Sequence, residues 1–427
     1  MAPLWQTALQ TDFYLLVVAA VYHADGLWGH ATFDLYPRAA LKGAPWVVAA
    51  GMHEAARSVL DMRFDERSIA WLKEQQAFSR ASEGWWESLR HFAFSGDIHA
   101  VAEGTLVGPH TPILRVTAPL QHATLIQTRL LQMVPAATAV ATRAARCTLA
   151  AGGRRLYEFA SRRSASGEGA VLTARAAIVG GFYASSNAAA AAQLGVPVMG
   201  TLSSDFFTAY GDIAPALEAF SVHFPDVGFV NLPPGRVDQA VAQLAQHREL
   251  VRMVRLDHPQ LARAARALRP MLDKAGMSHT RILGSGSLGP EAISRLGDAP
   301  IDLLAVGKNL VRGGPIPTSY RIAEQWRGPD AVPSLKPGSA RYPGTKQVLR
   351  RADHDLVCLL DEADHLDGEP LLQPLILNGE LVSEAPSVQE GRDRCAAQLA
   401  GLPPELLPGG GGEWDLRVSE GIGRLMG

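Results

Sequence analysis

The segment from about residue 155 to 310 constrains the fold most, because short apolar runs alternate there with helical spacing. VRMVRLD (251–257) reads as a strand. QLARAARALRPMLDKAG (260–276) then places Leu261, Ala264, Ala265, Leu268 and Leu272 on one helical face, with Pro270 expected to kink it. RILGSGS reads as a strand and turn, PEAISRLG as a helix and IDLLAVG as another strand. Such alternation requires parallel strands joined by crossover helices, in either an open doubly wound sheet or a barrel. Both architectures gather ligands at the carboxyl ends of their strands. Those ends carry Arg255-Leu256-Asp257, Gly284-Ser285-Gly286-Ser287 and Gly307-Lys308-Asn309, a credible anion site.

Each candidate also has a plainer reading. Glycine turns after strands can aim backbone N–H groups at phosphate oxygens, and SGSLGPEAI places Pro290 where a following helix would open. The same turns serve as ordinary strand-to-helix links, and Lys308 as a solvated surface charge. Arg154-Arg155 and Arg162-Arg163 flank LYEFA, as a phosphate fork or as exposed charge. Arg255 and Asp257, two apart on one strand, point to the same side. They could bind a carboxylate and orient a sugar, or simply close the strand end as an ion pair. The thirteen histidines show no metal-ligand spacing, and neither a GxSxG elbow nor a Walker lysine motif occurs.

The flanks differ. Residues 1–130 mix a helix near Asp12–His23, a strand-like ATFDLY and a β-rich EGTLVGPHTPILRVTAPL, followed by helical ATLIQTRLLQMV. The last hundred residues return to Pro-punctuated β-like sequence, with QEGRDRCAAQLAGL as a helix and Gly409–Gly412 as a loop. A 47% hydrophobic, 19% charged composition is that of a globular chain, and 427 residues suggest two or three domains. A net charge of −2 offers no field to gather nucleic acid or an anionic membrane. The start lacks a basic leader, and no run reaches the length of a membrane span. Three cysteines without a CxxC point to a reduced, cytoplasmic protein without structural zinc.

Taken together, the segments resemble the nicotinate phosphoribosyltransferase family. TDFYLLVVAAVY is similar to its Thr-Asp-x-Tyr helix, and EGTLVGPHTPILRVTAPL to its Glu-Gly-Thr segment. ATRAARCTLAAGGRRLYEFASRRS and GGFYASSNAAAAAQLGVPVMGT look like its Glu-Phe-Gly-x-Arg-Arg and Gly-Thr-Ser-Asn…Gly-Thr stretches. YPGTKQVLR and LILNGELVSEAPSVQEGRDRCAAQLAGLP resemble its Pro-Gly-x-Lys-Gln-Val and closing helix. The order is kept from about residue 10 to 420.

The resemblance implies an irregular α/β barrel of the type II phosphoribosyltransferase kind, beside an α/β open-faced sandwich built from both termini. The expected divisions are 1–135, 136–330 and 331–427. It implies transfer of phosphoribosyl from phosphoribosyl pyrophosphate (PRPP) to nicotinate or a related pyridine carboxylate, in a homodimer with a shared active site. Tyr14 of one subunit and Phe159 of the other would sandwich the ring, and Arg162 would meet phosphates. Ser186 and Arg255 would face the carboxylate, Asp257 the ribose, and Gly286 and Gly307 the 5′-phosphate. Thr201, Ser204, Ser287 and Lys308 complete the candidate substrate-binding set, with Arg162, Arg255 and Asp257 as the catalytic candidates.

The chain also departs from the pattern. Ser204 stands where the family carries its phosphorylated histidine, four residues after the glycine of Gly200-Thr201, so ATP coupling through phosphohistidine is not expected. Asn231-Leu232-Pro233-Pro234-Gly235 replaces Asp-Thr-Tyr-Asp-Thr, and His258, Ser287 and Lys308 replace other family residues. Fewer carboxylates leave the identity of any metal open, with Mg²⁺ the candidate. Two alternatives follow: an enzyme acting on another ribosyl phosphate or pyridine nucleotide, and a non-catalytic nucleotide-binding paralogue.

Overall fold

A computed structural model describes residues 8–224, 228–233, 235–328, 330–334, 342–384 and 387–427, with Arg327 as backbone alone. The chain forms two units, one of Met1–Thr142 with Pro315–Gly427, the other of Arg143–Gly314. The sequence placed these divisions at 135/136 and 330/331. The helix Gln127–Ala151 runs through the first of them, with Pro135 inside it. The strand Thr318–Arg327 pairs with His30–Pro37, which draws it into the first unit. No described helix is long and apolar enough to cross a membrane.

In the first unit, His30–Pro37 lies inside a seven-stranded antiparallel sheet, between Thr318–Arg327 and Leu114–Pro119. Strand side chains alternate between faces, and here the two faces differ in chemistry. Phe33 and Leu35 enter the apolar core, where Phe33 stacks on Tyr320 at 4.8 Å. Thr32 and Asp34 meet a second sheet instead. Thr32 Oγ1 lies 3.0 Å from Thr345 Oγ1, and Lys346 Nζ is 2.6 Å from Asp34 Oδ2 with both groups buried. The expected amphipathic helix is Phe13–Ala24, which buries Leu15, Leu16 and Ala19.

The second unit is a parallel sheet in the order Ala184–Ser185, Arg155–Glu158, Leu303–Val306, Arg281–Ser285, Met253–Asp257, Phe229–Asn231. Its two edges are joined through residues 197–202. Val198 bridges to Ser185 and Leu202 to Val230, and the Leu202 N–H donates to Phe229 O at 3.0 Å. The sheet therefore closes on itself, and the open doubly wound alternative is excluded. Tyr157, Met199, Met253, Leu283, Leu303 and Ala305 fill the interior. Leu261, Ala265, Leu268 and Leu272 of the helix Leu261–Lys274 are buried, while Ala264 is half-buried. Each of those leucines contributes about 1.5–3 kcal/mol by leaving water.

Candidate active site

Period-2 alternation carries Arg255 and Asp257 to the mouth of the barrel, one step beyond buried Met253. The Arg255 guanidinium is held on three sides. Its Nε donates to Ser285 Oγ at 2.8 Å, Nη1 to Thr201 Oγ1 at 3.4 Å and Nη2 to Asp257 Oδ2 at 3.2 Å. Ser285 Oγ in turn donates a hydrogen bond to Asp257 Oδ2 at 3.0 Å, so four residues form one network. The guanidinium carbon also lies 5.6 Å from the centre of the Phe159 ring. Arginine has five N–H donors, so two remain without a partner among the described residues, one on each terminal nitrogen. Those two donors are available to an anion such as a carboxylate.

Glu158 ends the strand Arg155–Glu158 and is fully buried. Oε2 accepts from Ser185 Oγ at 2.5 Å, and Oε1 accepts the Ala160 N–H. Burial pushes its carboxyl up, opposed by hydrogen bonds from Ser185 and the backbone of Ala160 and Ser161. The Phe159 N–H donates to Val306 O at 2.8 Å and the Ser186 N–H to Glu158 O at 2.9 Å, tying three strand ends together. Ser161 Oγ and Asn231 Oδ1 are buried here without a partner among the described residues.

The two glycine turns are sterically required. Gly286 has φ +114°, and a Cβ there would lie 2.8 Å from Asp257 Oδ1. A Cβ on Gly307 would lie 2.7 Å from Phe159 O. Ser287 adopts φ +56°, a left-handed conformation in which Asn309 Nδ2 donates to its carbonyl at 2.6 Å. Lys308 begins the short helix Lys308–Val311 and is exposed.

The barrel mouth thus brings together Phe159, Thr201, Arg255, Asp257 and Gly286 by direct contact, with Ser186 and Gly307 tied in through the backbone of residues 158–159. Arg162 and Arg163 sit exposed in the turn Ser161–Arg163, two to four residues beyond Phe159. Ser204 opens the helix Ser204–Ala209 and is exposed. His258 accepts from the Gln260 N–H, and Pro234 lies outside the described residues. Arg154 is elsewhere: it precedes the strand and donates to the carbonyls of Gly297 and Ile301, a structural role. Arg155, at the strand's start, stacks over Tyr183 at 4.3 Å. Tyr14 belongs to the other unit, where its ring is exposed and its hydroxyl accepts from Gln127 Nε2 at 3.3 Å.

Sequence reading left Glu158 and Ser185 out of the candidate site residues and carried Ser285 only as part of the Gly284–Ser287 strand end. The signals for the first two were position at the carboxyl ends of strands and, for Glu158, its place as the acid of the Glu-Phe-Gly-x-Arg-Arg-like stretch. Among the described residues no group of three or more His, Cys, Asp or Glu could hold a metal. Asp257 Oδ1 has no hydrogen-bond partner among the described residues, so it could serve as a single carboxylate ligand to a Mg²⁺ ion held mainly by phosphates.

Residues 9–135 match the family described as the nicotinate phosphoribosyltransferase (NAPRTase) N-terminal domain. The chain is 33% identical to a nicotinate phosphoribosyltransferase of Mycobacterium tuberculosis (pncB2), over 97% of this chain and 92% of that one. It is 30% identical to the Bacillus subtilis nicotinate phosphoribosyltransferase, over 83% and 76%. In fold it is similar to human nicotinic acid phosphoribosyltransferase, with a TM-score of 0.85 and 24% identity over 97% and 99% of the two chains. It also matches a Pyrococcus furiosus nicotinate-nucleotide pyrophosphorylase, with a TM-score of 0.77 and 23% identity over 94% and 97%.

Proposed function

The chain belongs to the nicotinate phosphoribosyltransferase family, and from that premise we propose that it joins nicotinate to PRPP, giving nicotinate mononucleotide and pyrophosphate without ATP coupling. The observation that carries the reading is the pair of N–H donors on Arg255 left without a partner among the described residues, braced by Ser285, Thr201 and Asp257 and set over Phe159. A pyridine carboxylate needs both features: a fork for the acid and a flat apolar surface for the ring.

The pyridine nitrogen attacks C1 of the ribose as the bond from C1 to pyrophosphate breaks. The transition state is ribosyl-cation-like, so the protein's task is to align nitrogen, C1 and leaving oxygen. Arg255 and Ser186 hold the carboxylate, and Phe159 supports one face of the ring. Asp257 accepts from a ribose hydroxyl while staying paired to Arg255. Arg162, Lys308 and the Gly286-Ser287 and Gly307 turns receive phosphate oxygens. Tyr14 of a second subunit closes over the other ring face, which makes the working form a homodimer. Mg²⁺, arriving on PRPP, would neutralise the departing pyrophosphate. Exposed Ser204, a poor phosphoryl carrier beside imidazole, gives ATP no evident route into the reaction.

The test mixes purified protein with nicotinate, PRPP and Mg²⁺, with and without ATP. Nicotinate mononucleotide should form at a rate that ATP does not change. Thermal stabilisation by PRPP without any product would refute the reading and favour a binding protein.

A further inference from the structure

We propose that Glu158 is a positioning residue that latches the Phe159–Arg162 turn to the Ser185–Asn187 turn, and so sets the shape of the nicotinate pocket. The inference rests on the functional reading above, since it assumes that Phe159 and Arg162 meet substrate.

The carboxylate is fully buried, and none of the ion pairs among the described residues involves it. Its partners are instead neutral donors from two adjacent strand ends. Oε1 takes the Ala160 N–H, and Oε2 takes the Ser185 hydroxyl at 2.5 Å. Ser185 Oγ in turn accepts the Asn187 N–H at 2.9 Å. The same two turns meet again through the backbone, Ser186 N–H to Glu158 O. One turn carries Phe159 and Arg162, and the other carries Ser186.

An uncompensated buried carboxylate is a costly way to fill space. What it supplies is acceptor capacity on both oxygens at once. An amide has a single acceptor oxygen, and its NH₂ group would reverse the bond to Ser185, whose hydroxyl would then accept from both the amide and the Asn187 N–H and lose the acceptor for its own hydrogen. Glutamine therefore weakens the latch on its Ser185 side, although it occupies the same volume. The latch accounts for an acidic residue at a buried site where no cation pairs with it among the described residues.

The experiment uses the intact protein with Glu158→Gln, and Ser185→Ala as the second variant. Two readouts are taken: steady-state kinetics, and the rate of tryptic cleavage after the exposed Arg162 and Arg163. E158Q should raise the KM for nicotinate and lower kcat/KM by about 10- to 100-fold, the scale expected of a displaced binding group. Cleavage at Arg162 or Arg163 should quicken by roughly tenfold while other sites keep their rates. S185A should shift both readouts in the same direction by less. A folded E158Q with parent kinetics, or with parent cleavage, overturns the proposal. If E158Q does not fold, S185A decides by the same readouts, and parent values there overturn it. If the parent protein makes no nicotinate mononucleotide, the functional reading fails separately, and cleavage still reports whether the latch exists.

Discussion

Replacing Arg255 tests the centre of the site. Its two N–H donors without a partner among the described residues would make a paired, charge-assisted contact with the nicotinate carboxylate. Hydrogen bonds to charged groups contribute about 1.5–3 kcal/mol each in protein settings. Arg255→Ala removes both and leaves the carboxylate facing Asp257 with no cation between them. Truncating one partner of such a pair costs about 2–5 kcal/mol. Taking about 3 kcal/mol, kcat/KM for nicotinate should fall roughly 100-fold, since about 1.4 kcal/mol is tenfold. Arg255→Lys keeps the charge but loses the fork and the planar bond to Ser285, and about tenfold is expected. Nicotinamide carries no carboxylate, so any turnover of it should change little. The informative assay is therefore the ratio of kcat/KM for the two bases, measured on variants whose unfolding midpoint matches the parent. A folded R255A that keeps nicotinate kcat/KM within about threefold would refute the carboxylate role, whatever the other variants do.

Further outcomes follow from geometry and titration. Gly286→Ala adds a Cβ 2.8 Å from Asp257 Oδ1 at φ +114°, so it should cost about 1–3 kcal/mol of stability and weaken PRPP binding; an unchanged unfolding midpoint and PRPP affinity would contradict the tight turn. Lys346→Ala leaves Asp34 buried without its cation, and chemical denaturation should show a loss of about 3–5 kcal/mol. His99 and His122 are each brought by burial from 6.5 to about 4. Between those values the unfolded chain binds more protons than the folded one, so stability should fall as pH drops from about 6.5 towards 4. Each ring can contribute at most about 3 kcal/mol, and less for the solvent contact both retain. Glu158, raised by burial, works in the opposite sense. Urea midpoints at pH 7 and 5 should differ, and the difference should shrink in a His122→Gln variant; equal midpoints would remove the histidine account.

The parallel strands of residues 251–306 were legible because each is a short apolar run followed by a glycine turn or a charged pair, with a helix between. Closure into a barrel was implied by the family resemblance but not by these runs themselves, because it depends on single bridges from Val198 and Leu202, whose local sequence has no strand period. Arg255 and Asp257 could be paired from their spacing alone. Thr201 and Ser285 could not be joined to them by any local rule, since the contacts span 54 and 30 positions of chain. Glu158 was hidden for another reason: within LYEFA a lone acid suggests a solvated residue, and its burial becomes visible only when the neighbouring strand end supplies donors. The domain limits were misplaced for a similar cause. Pro135 resembles a helix stop but lies within a 25-residue helix, and Thr318–Arg327 is claimed by a strand near the other end of the chain.

That last pairing bears on how the protein is made. Ala31 bonds across to Gln325, and the whole barrel is encoded between the two. At roughly 5–20 residues per second, a ribosome needs about 10–40 seconds to travel from Pro119 to Arg327. For that interval the nascent strand His30–Pro37 can pair with Leu114–Pro119 on one side, while its other edge waits for a partner not yet synthesised. An open, apolar edge of this kind recruits foreign strands. The barrel, by contrast, holds all of its strands in one continuous stretch and can complete itself while the tail is still being translated. A chain cut short after Gly314 would therefore keep every strand of the barrel while His30–Pro37 lost its partner Thr318–Arg327, with aggregation beginning at the residues translated first.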